Sequence, residues 1–200
     1  MIVLDVETTG TNPDVHSIVS IGAVDFNNPT EQFYKECRIW DGARVEQEAL
    51  AVNGYSEADI KDPAKLSERE AVESFFVWLE GKENITIAGH NPLFDIGFIQ
   101  AASARNQIDF PLAQRSIDQH TLAFAHMTAR GITPPTRNRK SDLNSDKVME
   151  YVGIPTEPKP HKAINGAIWE AEAISRLLLD RNLLPQFSSY PIPWLKGGSL

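Results

Sequence analysis

The sequence contains a single cysteine, Cys37, among its 200 residues. One cysteine cannot form an internal disulfide, which excludes a disulfide-stabilised secreted module and predicts a reducing, cytoplasmic location. Every hydrophobic run is too short to cross a bilayer, and the first residues lack the basic segment and apolar stretch of a signal peptide. We therefore expect no association with a membrane.

Positive charge is also scarce, with 19 Lys and Arg against 27 Asp and Glu and a net charge of -8. This balance argues against broad, non-specific adhesion to nucleic acid or to anionic membranes. It does not exclude a nucleic acid end held through bound metal ions, because that attraction is local. Internal repeats are absent, and 42% hydrophobic residues in a chain of this length suit one globular domain.

Strand patterns come first in the chain, and strands then alternate with helices. Residues 2–7, 17–26 and 31–39 have short connections, which predicts an antiparallel meander. Helical patterns follow, so we predict an α/β fold with a mixed β-sheet flanked by helices. The predicted domain covers residues 1–182, and the proline-containing segment 183–200 is predicted to be a loosely ordered tail.

Asp5 and Glu7 interrupt the hydrophobic first strand. Side chains two residues apart on a strand share a face, so these two carboxylates point the same way. Two carboxylates close together on a buried face repel unless a positive charge lies between them. Hard oxygen ligands favour Mg²⁺ or Mn²⁺. The alternative is a strand end whose acids reach solvent, and the pair alone does not decide between the two.

Three further polar residues stand at element ends. Asp95 lies in the first turn of a predicted helix, where a negative charge is stabilised by about 0.3–1 kcal/mol. His161 precedes the last long helix, a place where a histidine is more often a capping or surface residue. Asp118 follows a short strand, and we interpret it as the cap of the next helix.

Together these residues resemble the DnaQ-like (DEDDh) 3′→5′ exonucleases, which have the ribonuclease H-like fold. Each matching segment is weak alone, but the matching segments occur in the family's order. They are residues 3–10 (VLDVETTG), 49–54 (ALAVNG), 90–95 (HNPLFD), 143–154 (ending in Gly-Ile) and 161–163 (HKA).

The resemblance implies a metal-dependent exonuclease that releases nucleoside 5′-monophosphates from nucleic acid 3′ ends. It implies two Mg²⁺ or Mn²⁺ ions, with His161 as the base that deprotonates the attacking water. The resemblance modestly favours DNA over RNA as the substrate. It is compatible with either a monomer or a homodimer. The implied metal ligands are Asp5, Glu7 and Asp95, and the implied substrate-binding residues are Thr8, Thr9, Asn91 and Phe94.

The third motif departs from the family, which has an aspartate five residues after the histidine. Here that position is Gly166, and glycine inside a helix costs about 1 kcal/mol relative to alanine. Glu170 lies one turn further along the same face and is the candidate replacement, although a solvated Glu170 is the favoured interpretation. The alternative function is therefore a pseudoexonuclease that binds nucleic acid ends or nucleotides without cleaving them.

A short basic segment stands out in this acidic chain. The segment from residue 130 to residue 140 carries Arg130, Arg137, Arg139 and Lys140 with two prolines. It is either a phosphate-binding arm over the active site or an ordinary solvated loop.

Overall fold

The computed structural model describes residues 1–195, and a six-stranded mixed sheet lies at its centre. The strand order is β4-β3-β2-β1-β5-β6. The first three strands pair antiparallel, and the β3–β4, β1–β5 and β5–β6 pairs are parallel. This confirms the predicted fold class. The strands are β1 (Ile2–Thr8), β2 (Ile18–Asp25), β3 (Gln32–Arg38), β4 (Leu66–Ser67), β5 (Ile87–Gly89) and β6 (Ile117–Asp118).

Six α-helices accompany the sheet in the described part of the chain. Ser67 and Glu70 form a capping box at the start of the second helix, and Asp118 caps the fourth as predicted. No helix within residues 1–195 is long and apolar enough to cross a membrane. The helices are α1 (Gln47–Asn53), α2 (Glu68–Leu79), α3 (Leu93–Asn106), α4 (Gln119–Ala129), α5 (Ser145–Val152) and α6 (Ala163–Leu179).

The basic segment is more regular than a loop. It forms a hairpin of β7 (Thr136–Arg137) and β8 (Lys140–Ser141), which pair antiparallel. The two turn residues, Asn138 and Arg139, both have positive φ, at 50° and 65°. Two successive positive φ values are typical of a two-residue hairpin turn.

Helix α6 packs directly on the centre of the sheet. On β2, Gly22 is the cross-strand neighbour of Asp5. A Cβ atom at Gly22 would lie 2.1 Å from the carbonyl carbon of Ala163, the first residue of α6. The helix therefore reaches the sheet backbone at this point because residue 22 has no side chain.

The segment after α6 does not behave as predicted. Its described part, residues 183–195, packs on α5 and α6, and Leu184, Phe187 and Ile192 are buried. The guanidinium of Arg176 donates hydrogen bonds to the carbonyls of Phe187 and Tyr190 at 3.1 and 3.0 Å. The prediction of a loosely ordered tail is thus wrong for residues 183–195, because a buried cation binds their backbone; residues 196–200 lie outside the described part.

Candidate active site

Asp5 and Glu7 are the two partly exposed positions of the otherwise buried β1. Burial, followed by the charge of Glu157, raises the pKa of Asp5 to about 8. Burial, followed by the charges of Asp5 and Glu157, raises the pKa of Glu7 to about 9. Because the charge of Glu157 acts on both carboxylates and that of Asp5 acts on Glu7, the two share one electrostatic environment, as their spacing on the strand predicts.

Asp95 joins them from the first turn of α3. Its Oδ1 atom accepts a hydrogen bond of 2.9 Å from the backbone N–H of Val6, the residue between the two acids of β1. Asp95 is buried, and burial followed by the charge of Asp5 raises its pKa well above the ordinary value. The helix start therefore directs this carboxylate at the same site.

His161 is positioned by the end of α1. Its backbone N–H donates to the carbonyl of Val52 at 3.2 Å. Gly54 ends α1 with a φ of 75°, and a Cβ atom there would lie 2.6 Å from the Cβ of Pro160. The helix end that resembles the family motif therefore holds the chain just before the histidine. The His161 side chain is 30% exposed.

Glu157 is the acid that the sequence analysis missed. Residues 155, 156 and 158–160 are exposed, whereas the Glu157 side chain is only 13% exposed. Its Oε2 atom lies 3.3 Å from Nδ1 of His161. Glu7, Glu157 and His161 each offer one atom that can bind a metal, and these three atoms lie within 4.8 Å of one another. The only signal in the sequence was an acid four residues before the histidine, which is weak evidence.

The position of the missing fourth acid is filled by another part of the site. A Cβ atom at Gly166 would lie 2.4 Å from Oδ2 of Asp5, so the Asp5 carboxylate occupies the space beside this glycine. Although the sequence offered no local reason for a glycine inside α6, this close approach provides one.

Glu170 is not solvated, contrary to the favoured interpretation. It is only 6% exposed, and its Oε2 atom accepts a hydrogen bond of 3.0 Å from the backbone N–H of His90. Burial, followed by the charges of Asp5 and Asp95, raises its pKa well above the ordinary value. The close packing of α6 on the sheet explains why this turn is covered.

A cleft of about 340 Å³ opens beside the acids, and Glu7, Thr8 and Phe94 contribute to its lining. Thr9 is fully buried, and its hydroxyl donates to the carbonyl of Arg44 at 2.7 Å, so it holds the loop after β1. Asn91 is exposed, with a φ of 55°, just before α3. Of the four predicted substrate contacts, Thr8 and Phe94 therefore line the cleft directly.

The basic hairpin is connected to the site through two histidines, His120 and His90. The Oγ atom of Ser141 is hydrogen-bonded to Nε2 of His120 at 2.7 Å. The His120 ring meets the His90 ring edge to face, with 6.2 Å between the centroids. Because the N–H of His90 binds Glu170, one chain of contacts joins the hairpin to the acids. Arg137, Arg139 and Lys140 are exposed.

Comparison with known families decides how this arrangement is classified. The RNase T family, described as "Exonuclease", matches residues 2–169, which include every acid of the site except Glu170. This chain belongs to the RNase T exonuclease family. The predicted resemblance is confirmed, and the chain is a member of a family of hydrolytic nucleases.

Relatives in the family match to different extents. Ribonuclease T of Vibrio vulnificus is 28% identical over 122 residues, covering 52% of this chain and 54% of the relative. The chain thus spans about half the length of that relative. The epsilon subunit of DNA polymerase III of Salmonella typhimurium is 27% identical over 194 residues, covering 89% of this chain and 69% of the subunit.

Among solved structures, the nuclease domain of 3′hExo, a DEDDh family member bound to rAMP, has a similar fold. The TM-score is 0.70 over 92% of this chain and 93% of that domain, at 14% sequence identity. At this identity the likeness concerns the fold, and it agrees with the mixed sheet and flanking helices described above.

The family implies divalent metal ions, and the donors present fit them. The acids of the site offer carboxylate oxygens, which are hard ligands. Their pKa values are raised by burial and by one another's charge, so a cation between them would relieve the repulsion. The carboxylates meeting here belong to Asp5, Glu7, Asp95, Glu157 and Glu170.

Proposed function

We propose that this protein is a metal-dependent 3′→5′ exonuclease that releases nucleoside 5′-monophosphates from nucleic acid ends. The observation that carries the proposal is the convergence of Asp5, Asp95 and His161 beside a cleft lined by Glu7 and Phe94. A protein that only binds nucleic acid has little physical need for clustered acids and a base.

The side chains of the site have separate roles in the proposed reaction. Asp5, Glu7 and Asp95 would hold two Mg²⁺ or Mn²⁺ ions, which, when bound, acidify a water ligand and stabilise the oxygen that leaves. The imidazole of His161 accepts the proton of the attacking water, a task that suits histidine at neutral pH. Phe94 offers its ring to the terminal base, since aromatic stacking is tolerant of sequence.

The hairpin of β7 and β8 is the proposed contact for the phosphates upstream of the terminal nucleotide. Its three cations, Arg137, Arg139 and Lys140, are exposed, and its base is attached through Ser141 to the site. Because the chain has a net charge of -8, the basic hairpin can attract nucleic acid locally while the rest of the surface does not.

DNA is proposed as the preferred substrate over RNA. The relative that aligns over 89% of this chain is a subunit of a DNA polymerase, whereas the ribonuclease aligns over 52%. The preference depends on contacts to the sugar 2′ position, so it needs a direct comparison of substrates.

The test uses single-stranded DNA and RNA oligonucleotides of one sequence, labelled at the 5′ end, with Mg²⁺, with Mn²⁺ or with chelator. We expect a ladder shortening from the 3′ end that is faster on DNA and absent with chelator, and chromatography should identify the released products as nucleoside 5′-monophosphates. Asp5→Asn should abolish it, while Glu150→Gln, on the exposed face of α5, should leave it intact. Retained binding of the oligonucleotide without cleavage under any condition would instead support the pseudoexonuclease.

A further inference from the structure

The absence of the fourth family acid leaves one cation ligand to be found. At Gly166 the space that a side chain would fill is taken by the Asp5 carboxylate. Any replacement must therefore approach the acids of β1 from another position in the chain. Two acids do so: Glu170 from within α6, and Glu157 from the segment before it.

These two acids differ in which groups of the site they meet. Glu170 is 6% exposed, and the charges that act on it most strongly are those of Asp5 and Asp95. Glu157 offers a carboxylate oxygen within 4.8 Å of ligand-capable atoms of Glu7 and His161. Glu157 is therefore the acid that shares a cluster of potential ligand atoms with Glu7, whereas Glu170 faces Asp5 and Asp95.

The partly buried position of the Glu157 side chain is a second observation that favours it as a metal ligand. Its neighbours on both sides point into solvent, although an acid in an exposed, proline-containing segment is normally solvated as well. Its Oε1 atom accepts a hydrogen bond of 3.2 Å from the backbone N–H of Lys162, which fixes the carboxylate at the start of α6. The second oxygen, Oε2, is the one that faces His161.

We propose that Glu157 supplies the carboxylate that the third motif lacks, binding a divalent cation together with Glu7. This inference rests on the proposed function and deepens it. In place of an aspartate inside α6, the site uses a glutamate from the preceding segment, whose extra methylene group gives it a longer reach. Glu170 then serves as a covered neighbour that positions the His90 backbone.

The test measures metal binding without turnover, by isothermal titration of metal-free protein with Mn²⁺. Glu157→Gln keeps an oxygen that can accept from Lys162 N–H and removes only the charge. We expect it to weaken Mn²⁺ binding by tenfold or more, about the loss seen for residues that support a metal site. Glu150→Gln, an exposed acid of α5, is the matched control and should bind as the unmodified protein does.

A rescue experiment tests whether Glu157 takes the place of the missing aspartate or only adds negative charge near the metal. Adding Gly166→Asp to Glu157→Gln should restore most of the lost affinity, because the Asp5 carboxylate at the crowded position is a side-chain end that can rotate. A double variant that folds and stays as weak as Glu157→Gln would overturn the replacement. If Gly166→Asp alone prevents folding, the affinity of Glu157→Gln decides.

The remaining outcomes are distinct from one another. Unchanged Mn²⁺ affinity in Glu157→Gln, with activity lost, would overturn the inference and leave Glu157 as a partner of His161 only. In that case the proposed exonuclease still stands. Failure of the unmodified protein to bind Mn²⁺ would overturn both this inference and the proposed metal-dependent activity.

Discussion

Glu170 and Glu172 lie two residues apart on α6, and both are buried, yet they occupy opposite environments. Glu172 binds the guanidinium of Arg176 at 2.8 Å and accepts the backbone N–H groups of Leu183 and Leu184. Glu170 instead faces the carboxylates of the site. A buried acid with a cationic partner supports the fold, whereas a buried acid among other acids marks a place where a cation is expected.

The largest effect on the free energy of unfolding should come from breaking the buried ion pair between Glu172 and Arg176. Arg176→Met leaves Glu172 charged and buried, and it removes donors from the carbonyls of Phe187 and Tyr190. Removal of one partner of a buried ion pair destabilises by about 3–5 kcal/mol. Urea unfolding measures the loss. Arg69→Met, which breaks the exposed pair with Glu73, should lose about 0.5 kcal/mol or less, and equal losses would refute the comparison.

The acid site should make the metal-free protein less stable as the pH rises. The pKa values of Asp5 and Glu7 are raised from 3.8 and 4.5 to about 8 and 9, so the folded state keeps protons that the unfolded chain releases. Their contribution is full below pH 4 and is lost as the pH rises through 8 to 9. In chelator, we expect the free energy of unfolding to fall by about 2 kcal/mol or more between pH 5 and 9.

Thermal unfolding in buffers across this range measures that dependence. Saturating Mn²⁺ should flatten the profile, because the bound cation favours the ionised carboxylates. A profile that rises with pH in chelator would contradict the assigned environment of these two acids.

Removal of one acid from the site should sharpen the comparison further. Asp5→Asn relieves repulsion, and we expect it to stabilise the metal-free protein at pH 8 by about 1–2 kcal/mol while abolishing activity, a common trade at functional sites. Glu172→Gln should do the reverse, with stability lost and the chemistry retained in the folded fraction. Denaturant unfolding and oligonucleotide degradation, measured on both variants, distinguish the two roles.

The smallest effect should come from the basic hairpin. Replacing Arg137, Arg139 and Lys140 with alanine should weaken binding of single-stranded DNA about five- to tenfold at low salt. Loss of three phosphate contacts should also reduce the salt slope by about 2. Fluorescence anisotropy over a salt series measures both, and thermal stability should not change. A variant that binds with the same affinity and slope would remove the hairpin from the proposed interface.

The residues that could be predicted from sequence are those fixed by local spacing. Asp5 and Glu7 share a face because of strand geometry, and Asp95 is directed by the first turn of a helix. Glu157 was missed because its inward turn depends on how its segment passes over the end of α1. No periodicity in the sequence encodes that path.

Two errors have a common physical cause. Glu170 was expected in solvent and residues 183–195 were expected to be loosely ordered, because acids and prolines favour exposure on average. Both are covered through α6: the close approach to the sheet buries Glu170, and Arg176 binds the carbonyls of the following segment. Long-range packing of this kind overrides composition.

Gly22 has a consequence for the geometry of the proposed reaction. It is paired with Asp5 across the sheet and touches Ala163, only two residues beyond His161. A single methyl group at position 22 would act as a spacer, lifting the start of α6 and carrying the imidazole away from the carboxylates. The missing side chain at Gly22 therefore helps to set the distance between the proposed base and the acids, although β2 itself contributes no side chain to the proposed site.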